Sequence, residues 1–266
     1  MNQEQVSEKS FPSAFESDPL IKKFGGFLTL TDDEIAYLNS LRKNQSSFEP
    51  NAEIQSEGES PQHIHILRHG WAVRYKLLSD GRRQILNFAL PGDCIGITAN
   101  LFQAADHSVA ALTTVTSDNF PSKNLLSLCQ AHPRVALAFN WATAREQTIL
   151  AAHTVRLGRR SAAEAMGHLF LELLKRLQLV GLANKHSYEL PITQEILADL
   201  LGLSIVHVNR TLRRLRQRGL IELDLKNRRL IIKDIHRLAK AVDFDPTYLG
   251  QERKPVKGKK QLLGES

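Results

Sequence analysis

The 266-residue sequence predicts an α+β fold with a β-rich first half and a helical second half. Short apolar segments separated by turn residues run from Phe48 to about Thr116, which is typical of a compact antiparallel β-roll. A stretch without glycine or proline follows at 134–157 and predicts one long helix. Residues 191–233 then predict two short helices followed by two short strands.

The two short helices within 191–221 have recognisable start and stop residues. Thr193 is placed to cap the first helix, because its hydroxyl can accept a hydrogen bond from an early backbone N–H. Gly202 suits a left-handed position at the end of that helix, and Ser204 is placed to cap the second one. The second helix is predicted to turn three apolar side chains inward: Val208, Leu212 and Leu215.

The second helix of this pair is strongly basic. Residues 204–218 contain five arginines and His207 but no acidic residue. A solvated helix face ordinarily mixes both signs of charge, so this helix favours an anionic partner. The strands predicted at 221–225 and 229–233 form a hairpin whose turn, 226–228, is also basic. Together these elements predict a winged helix–turn–helix, which places its second helix in the DNA major groove; an αα-hairpin that is basic only for solubility is the alternative.

The distribution of charge supports a division into two functional parts. Residues 1–154 hold 13 Lys+Arg against 16 Asp+Glu, whereas residues 155–266 hold 22 against 12. A mildly acidic first part and a basic second part indicate a sensing module followed by a nucleic-acid module.

Several classes of protein are disfavoured by the sequence. No run of 18 apolar residues is present, and residues 1–25 lack the apolar core of a signal peptide, so we expect a cytoplasmic protein without a membrane span. Cys94 and Cys129 have no CxxC partner, which argues against a structural zinc or an iron–sulfur cluster. No hydrolase, P-loop or dinucleotide-binding motif occurs, so we do not expect an enzyme.

Two further features invite a chemical interpretation that the sequence does not favour. His63 and His65 would share one face of a strand, but this alternation is also typical of a half-exposed strand without a metal, and we predict no metal site. Cys94 could be a redox-sensitive thiol, although a buried and inert thiol is the preferred interpretation.

We divide the chain into five segments. We predict a flexible arm at 1–20, a β-roll sensor domain at 21–130, a dimerisation helix at 131–160, a winged helix–turn–helix at 161–248 and a basic tail at 249–266. Within the long helix, one stripe follows a heptad-like spacing and could form either a dimer seam or a face packed on the β-roll. The seam residues predicted for a homodimer are Val135, Ala138, Ala142, Ile149 and Ala152.

This arrangement resembles the cyclic-AMP receptor protein / fumarate–nitrate regulator (Crp-Fnr) family of bacterial transcription factors. The resemblance covers roughly residues 20–248, and its most specific part is the run LPITQEILADLLGLS at 190–204 with the basic helix after it. The turn PGDCIG at 91–96 matches the turn before the family's ligand pocket. The resemblance therefore implies an N-terminal cyclic-nucleotide-binding-like β-roll.

The pocket positions depart from the nucleotide-binding members of that family. The resemblance places the effector pocket at Gly92, Gly96, Ile97, His107 and Ser108. Ile97 stands where those members carry the acid that holds the ribose hydroxyl, and His107 stands where they carry the arginine for the phosphate. We therefore expect an effector other than cyclic AMP. The oxygen-sensing members use an N-terminal cysteine cluster, and residues 1–50 contain no cysteine.

The resemblance also identifies candidate DNA contacts. Arg210 matches the family's base-reading arginine, whereas Val206 replaces an acid and could contact a thymine methyl group. The full set of predicted DNA contacts is Thr193, Ser204, Val206, His207, Asn209, Arg210, Arg213 and Arg214.

We accordingly expect a homodimeric, sequence-specific transcription regulator that binds a near-palindromic double-stranded operator, with RNA polymerase as a further candidate partner. An effector-independent architectural DNA-binding protein with a vestigial pocket is the alternative. The ratio of specific to non-specific DNA affinity would distinguish the two.

Overall fold

A computed structural model describes residues 18–250, and the predicted α+β architecture is confirmed. The β-roll contains eight strands: β1 (Asn44–Phe48), β2 (Glu53–Gln55), β3 (His63–His69), β4 (Ala72–Leu77), β5 (Arg83–Ala89), β6 (Cys94–Ile95), β7 (Ser108–Ala111) and β8 (Val115–Pro121). They form two antiparallel sheets with the strand orders β1-β8-β3-β6 and β2-β7-β4-β5.

Helices surround this roll and make up most of the C-terminal part. They are α1 (Pro19–Gly25), α2 (Asp32–Leu41), α3 (Ile97–Phe102), α4 (Asn124–Ala131), α5 (Pro133–Arg159), α6 (Ala162–Leu179), α7 (Gln194–Leu201), α8 (Ile205–Gln217) and α9 (Ile235–Val242). The wing adds β9 (Ser187–Glu189), β10 (Ile221–Asp224) and β11 (Arg229–Ile232), and a 3₁₀ turn follows at Pro246–Leu249. Across residues 18–250, no helix has both the length and the apolar character needed to span a bilayer.

The last apolar segment of the roll, residues 108–116, contributes to two strands that belong to different sheets. The chain turns between β7 and β8, where the backbone N–H groups of Leu112 and Thr113 both donate to the carbonyl of Trp71. The Thr113 hydroxyl in turn accepts from the Trp71 N–H at 3.0 Å. These bonds bend the strand, and the apolar alternation continues through the bend, so the sequence pattern does not reveal it.

The arm predicted at 1–20 ends earlier than expected. Helix α1 begins at Pro19, and the Asp18 carboxylate caps it by accepting from the N–H groups of Leu20 and Ile21. Leu20 is buried, which anchors the helix on the roll. The rest of the predicted arm (1–17) and the tail from 251 onward lie outside the described residues. Leu249, where the predicted tail begins, is instead buried at the end of the 3₁₀ turn.

One apolar core crosses the boundary between the β-roll and the C-terminal part. Trp71 and Phe88 from the roll share a cluster with Phe170 and Leu174 of α6 and with Tyr188 of β9. The Tyr188 hydroxyl satisfies its hydrogen bond inside this core by donating to the Phe170 carbonyl at 2.9 Å. The removal of this apolar surface from water therefore holds the two parts together.

A network of buried charges lies beside this core. Asp93, in the turn before β6, forms an ion pair with Lys23 of α1 at 2.5 Å (to Nζ). It forms a second one with Arg176 of α6 at 2.9 Å (to a guanidinium nitrogen). One turn away on α6, Glu172 pairs with Arg156 of α5 at 2.7 Å. All five side chains are at most 5% exposed, so each charge depends on its partners instead of on water.

Both carboxylates of this network are held in the ionised form. Burial alone would raise the pKa of Asp93, but the charges of Lys23 and Arg176 outweigh burial and hold that pKa well below its ordinary value. Burial would likewise raise the pKa of Glu172, and Arg156 and Arg176 lower it instead. Ion pairing therefore dominates desolvation at both sites.

The end of the described chain returns to α5 and forms a C-terminal strap, residues 245–250. The carbonyl of Leu249 accepts from Arg145 Nε at 2.8 Å, and the carbonyl of Tyr248 accepts from the Thr148 hydroxyl at 2.8 Å. The Tyr248 hydroxyl also donates to Glu172 at 2.8 Å. The strap thus joins α5 to the buried charge network.

The face of α5 predicted to be the dimer seam packs inside its own chain. Val135, Ala138, Ala142 and Ile149 are each at most 4% exposed, and three of them belong to a core shared with α1, β3 and α4. Ala152 is half-buried. Because these side chains are covered by the β-roll and its helices, the predicted seam is corrected: the alternative interpretation, packing on the β-roll, describes this stripe.

Replacing Asp93 with Asn should lower the free energy of unfolding by about 3–5 kcal/mol, because Lys23 and Arg176 would remain buried without a counter-ion. Urea unfolding at pH 7 measures this change. Asp80→Asn, in the exposed β4–β5 turn, is the control and should have little effect.

The effect of Asp93→Asn should also depend on pH. A carboxylate with a lowered folded-state pKa contributes stability above its unfolded pKa, about 4, and this contribution is lost as the pH falls further. The difference between wild type and variant should therefore narrow below pH ~4. A variant as stable as wild type at pH 7 would contradict the assigned role of Asp93.

Candidate nucleic-acid interface

Local hydrogen bonds set the start of both helices in the helix–turn–helix, as the sequence predicts. The Thr193 hydroxyl accepts from the Ile196 N–H at 3.2 Å, and the Ser204 hydroxyl accepts from the His207 N–H at 3.3 Å. Between the helices Gly202 has φ +63°, a left-handed conformation that glycine adopts without strain. The capping residues thus fix the angle at which α8 leaves α7.

Helix α8 buries one face and exposes the other. Val208, Leu212 and Leu215 are buried against the domain, which confirms the predicted inward face, and Thr211 joins them. At about 100° per residue, the stripe directly opposite consists of exposed side chains. It is formed by Val206, Arg210, Arg213 and Gln217.

The remaining exposed side chains of α8 flank this central stripe. His207, Arg214 and Arg218 follow one side of it, and Asn209 and Arg216 follow the other. Within residues 18–250, no acidic side chain forms an ion pair with an arginine of this helix. The helix therefore presents uncompensated positive charge along both edges of an exposed ridge.

The wing lies beside this helix as a three-stranded antiparallel sheet in the order β10-β11-β9. The predicted hairpin is confirmed, with Ile221 opposite Ile232 and Asp224 opposite Arg229. Its turn exposes Lys226 and Arg228. The third strand, β9, is not part of the sequence prediction, because three residues are too few to show a period of two.

Two side chains of β5 hold α7, the first helix of the helix–turn–helix, against the β-roll. Arg83 of β5 pairs with Asp199 of α7 at 2.8 Å, and the Gln84 amide donates to the carbonyls of Asp199 and Leu200. Because Arg83 is about one-third exposed, this ion pair contributes little to the free energy of folding, and its main effect is to orient α7. The exposed face of α8 is thereby held at a defined angle to the roll.

The predicted effector pocket is a small cavity of about 30 Å³. Gly96, Ile97 and His107 line it, as predicted. Gly92 lies instead against the backbone of Pro19, and Ser108 uses its hydroxyl to accept from the Glu57 N–H at 3.0 Å, so neither of these two lines the cavity.

An ion pair between a buried arginine and a partly exposed glutamate, which the sequence analysis missed, lies at this cavity. Arg74 of β4 donates to Glu146 of α5 at 3.0 Å and to the carbonyl of Cys94 at 2.9 Å. Only 8% of the Arg74 side chain is exposed. The sequence signal for it is a charged residue within the otherwise apolar start of β4. One water needs roughly 10–15 Å³, so in this conformation the cavity has room only for water-sized molecules.

Two titratable side chains of the cavity lining, His107 and Cys94, are poorly suited to binding a phosphate and to reacting with an oxidant, respectively. Burial, assisted by the charge of Arg74, lowers the pKa of His107 and favours the neutral imidazole. Burial raises the pKa of Cys94 to about 12, so its thiol stays protonated. On β3, burial lowers the pKa of His65 to about 4, and its Nδ1 lies 3.1 Å from the Ser117 hydroxyl.

Family models match two parts of the chain. Residues 165–241 match a Crp-like helix-turn-helix domain, and residues 45–132 match a cyclic nucleotide-binding domain. The two matches coincide with the winged region and the β-roll.

Similar proteins support the same assignment. The chain is 34% identical over 176 residues to the transcriptional activatory protein AadR of Rhodopseudomonas palustris, covering 65% of this chain and 72% of AadR. It is also 34% identical over 176 residues to the nitrogen fixation regulation protein FixK of Bradyrhizobium diazoefficiens, covering 66% and 73%. The structure of FixK2 from Bradyrhizobium japonicum matches with a TM-score of 0.66 and 28% identity, covering 74% of this chain and 96% of that chain. The chain belongs to the Crp-Fnr family of DNA-binding transcription regulators.

Proposed function

We propose that this chain regulates transcription as a homodimer that inserts one α8 helix from each protomer into successive major grooves of a near-palindromic operator. The exposed, acid-free ridge of α8 carries this proposal. One helix reads too few base pairs to identify a site in a genome, and two copies on one duplex solve that problem. The half-sites would then lie about one helical turn apart, ~34–36 Å.

The position of each side chain on α8 suggests its role. Arg210 and Val206, on the central stripe, would meet base edges, with Arg210 donating to a guanine and Val206 contacting a thymine methyl group. Arg213 lies on the same stripe, while His207, Asn209 and Arg214 lie on its edges, nearer to phosphates. The exposed Thr193 and Ser204, at the starts of the two helices, are further phosphate contacts in this arrangement.

Replacing Arg210 with Ala should weaken binding to the specific operator by ~1–3 kcal/mol and abolish the preference at one base pair, because a base-edge contact is lost. Arg214→Ala is the matched control. It should weaken binding to all sequences alike and reduce the salt dependence by about one phosphate contact. Gel-shift titrations on operator and scrambled duplexes measure both. If Arg210→Ala retains full discrimination, Arg210 does not read a base.

The small volume of the cavity is the basis of the proposal for the effector. A nucleotide could enter only by displacing the Arg74–Glu146 pair, and no acid at position 97 would receive its ribose hydroxyl. We therefore propose that cyclic AMP does not control this protein. The small cavity also favours the second candidate, a DNA-binding protein that needs no effector; native mass spectrometry for bound small molecules distinguishes the two.

Calorimetric titration with cyclic AMP at micromolar concentration should show no binding, and cyclic AMP should leave operator affinity unchanged. A cyclic-nucleotide-binding member of the family, titrated in parallel, is the positive control. Tight binding accompanied by stronger operator binding would show that the Arg74–Glu146 pair opens and would refute the proposal.

We place the dimer contact on the exposed side of α5, opposite the corrected stripe. A second stripe with the same 3-4 spacing is exposed along the whole helix: Leu137, Asn140, Ala144, Gln147, Ala151 and Thr154. Its small residues allow two helix backbones to approach closely. Beside it, an apolar groove of about 430 Å³ is lined by Leu101 and Leu137 among others, and the exposed Phe102 and Leu126 lie nearby. A second copy of the chain would cover this surface.

Ala144→Glu should yield folded monomers with steeply reduced operator affinity, because glutamate is compatible with a helix but places a charge in the seam. Ile149→Asp tests the opposite face and should instead destabilise the fold, since Ile149 is 1% exposed within one chain. Light scattering, circular dichroism and an operator titration separate the two effects. A dimer that survives Ala144→Glu would exclude this seam.

We also propose a cytoplasmic location, where the DNA partner is found, and we retain RNA polymerase as a candidate partner because AadR is named as an activator of transcription.

A further inference from the structure

The tip of the wing carries an exposed leucine that is followed by two cations. Leu225 is 82% exposed, the largest exposed fraction among the large apolar side chains of residues 18–250. The turn that holds it is well defined, because Asp224 accepts from the Asn227 backbone N–H at 3.1 Å and from the Asn227 amide at 2.7 Å. Lys226 and Arg228 belong to the same turn and are also exposed.

A groove of about 550 Å³ separates the wing tip from α8. Leu225 and Leu223 line it from the wing, and Ile205 and Leu212 line it from α8. Ile205 is 48% exposed and belongs to the end of α8 that leads into the major groove. The groove therefore adjoins the first turn of α8.

The rim of this mainly apolar groove carries charges of both signs. Thr193, Arg228 and Arg229 contribute polar or positive groups to its rim. Two acids also border it: Asp224, whose oxygens both accept from Asn227, and Glu195 in the first turn of α7. The exposed Lys226 lies outside the rim and adds a second cation at the tip.

We propose that the wing tip enters the minor groove next to each half-site, with Leu225 against the groove floor and with Lys226 and Arg228 beside the phosphates. One sugar–phosphate strand separates the major groove from the minor groove, and it would lie in the space between α8 and the wing. This inference rests on the proposed insertion of α8 into the major groove.

The proposal assigns a sequence preference to the wing. A guanine carries an amino group that projects into the minor groove, whereas an A·T pair presents no such group. An apolar side chain on the groove floor would lose contact with a G·C pair and leave that amino group without a hydrogen-bond partner. Leucine is among the apolar residues that other minor-groove proteins bring into that groove, where they wedge it between base steps. The wing should therefore select A·T pairs beside the half-sites.

The test uses the full chain and an operator selected by the wild-type protein from a random duplex library. Three versions of this operator keep the half-sites and differ only at the adjacent base pairs, which are A·T, G·C or inosine·cytosine. An inosine·cytosine pair has the major-groove edge of G·C but lacks the guanine amino group in the minor groove. Wild type should bind the A·T and inosine versions with similar affinity and the G·C version roughly five- to tenfold more weakly.

Leu225→Ala should reduce this preference to less than twofold. Leu182→Ala, which removes a 46% exposed leucine outside the groove, is the matched control and should leave the preference intact. Lys226→Ala should weaken binding to all three duplexes equally and lower the salt dependence, as a phosphate contact does.

The outcomes separate this inference from the proposed function. If Leu225→Ala keeps the wild-type ratio, or if the inosine duplex behaves like the G·C duplex, the minor-groove assignment is wrong even when Arg210→Ala loses discrimination within the half-site. If Arg210→Ala keeps that discrimination, the docking of α8 is wrong, and the flanking duplexes still report directly on Leu225.

Discussion

The placement of the DNA-binding part depends on the buried carboxylate of Asp93. It lies in a β-roll turn, yet its partners come from α1 and from α6, the first helix of the C-terminal part. Arg176 also donates to the Asn87 side chain and the Phe88 carbonyl of β5. Directional bonds to a buried charge tolerate little displacement, so α6 can occupy only a narrow range of positions on the roll.

The angle of α8 follows from this constraint. α6 shares its core with α7 and α8, and β5 holds the far end of α7 through Arg83 and Gln84. The exposed ridge of α8 is thus positioned by apolar packing on one side and by hydrogen bonds on the other. For a dimer on a duplex, this determines the separation of the two recognition helices, because each helix is fixed relative to its own α5.

The sequence predicts the helix–turn–helix well because its signals are local. The caps at Thr193 and Ser204 and the left-handed Gly202 each act within four residues, and the alternation of buried and exposed positions on α8 follows directly from the sequence. The seam on α5 could not be predicted in the same way. Periodicity shows that a helix has two faces, but both stripes of α5 have the 3-4 spacing, and the more apolar stripe packs on the β-roll.

The pocket shows the limit of reasoning from matched positions. The sequence places Ile97 and His107 correctly at the cavity, but it gives no indication that Arg74 also lines it. Arg74 depends on Glu146, 72 residues later in the chain, and no local pattern connects the two. Ser108 looks like a ligand-binding hydroxyl in the sequence, but the backbone N–H of Glu57 uses it. Contacts between residues far apart in the sequence thus determine which of the matched side chains remain free to bind a ligand.

The C-terminal strap has a consequence for how the molecule is made. During synthesis the β-roll is complete long before Arg176, which follows Asp93 by 83 residues, and the strap residues that reach Arg145 and Glu172 are translated later still. Until then the roll exposes the faces of Trp71 and Phe88 that α6 will cover, and Asp93 lacks one of its two cations. Contacts of such long sequence separation form slowly. A ribosome-bound chain of this protein therefore passes through a stage in which an almost complete domain still exposes apolar surface. That stage ends when α6 packs on the roll, and the strap then adds its bonds to Arg145 and Glu172.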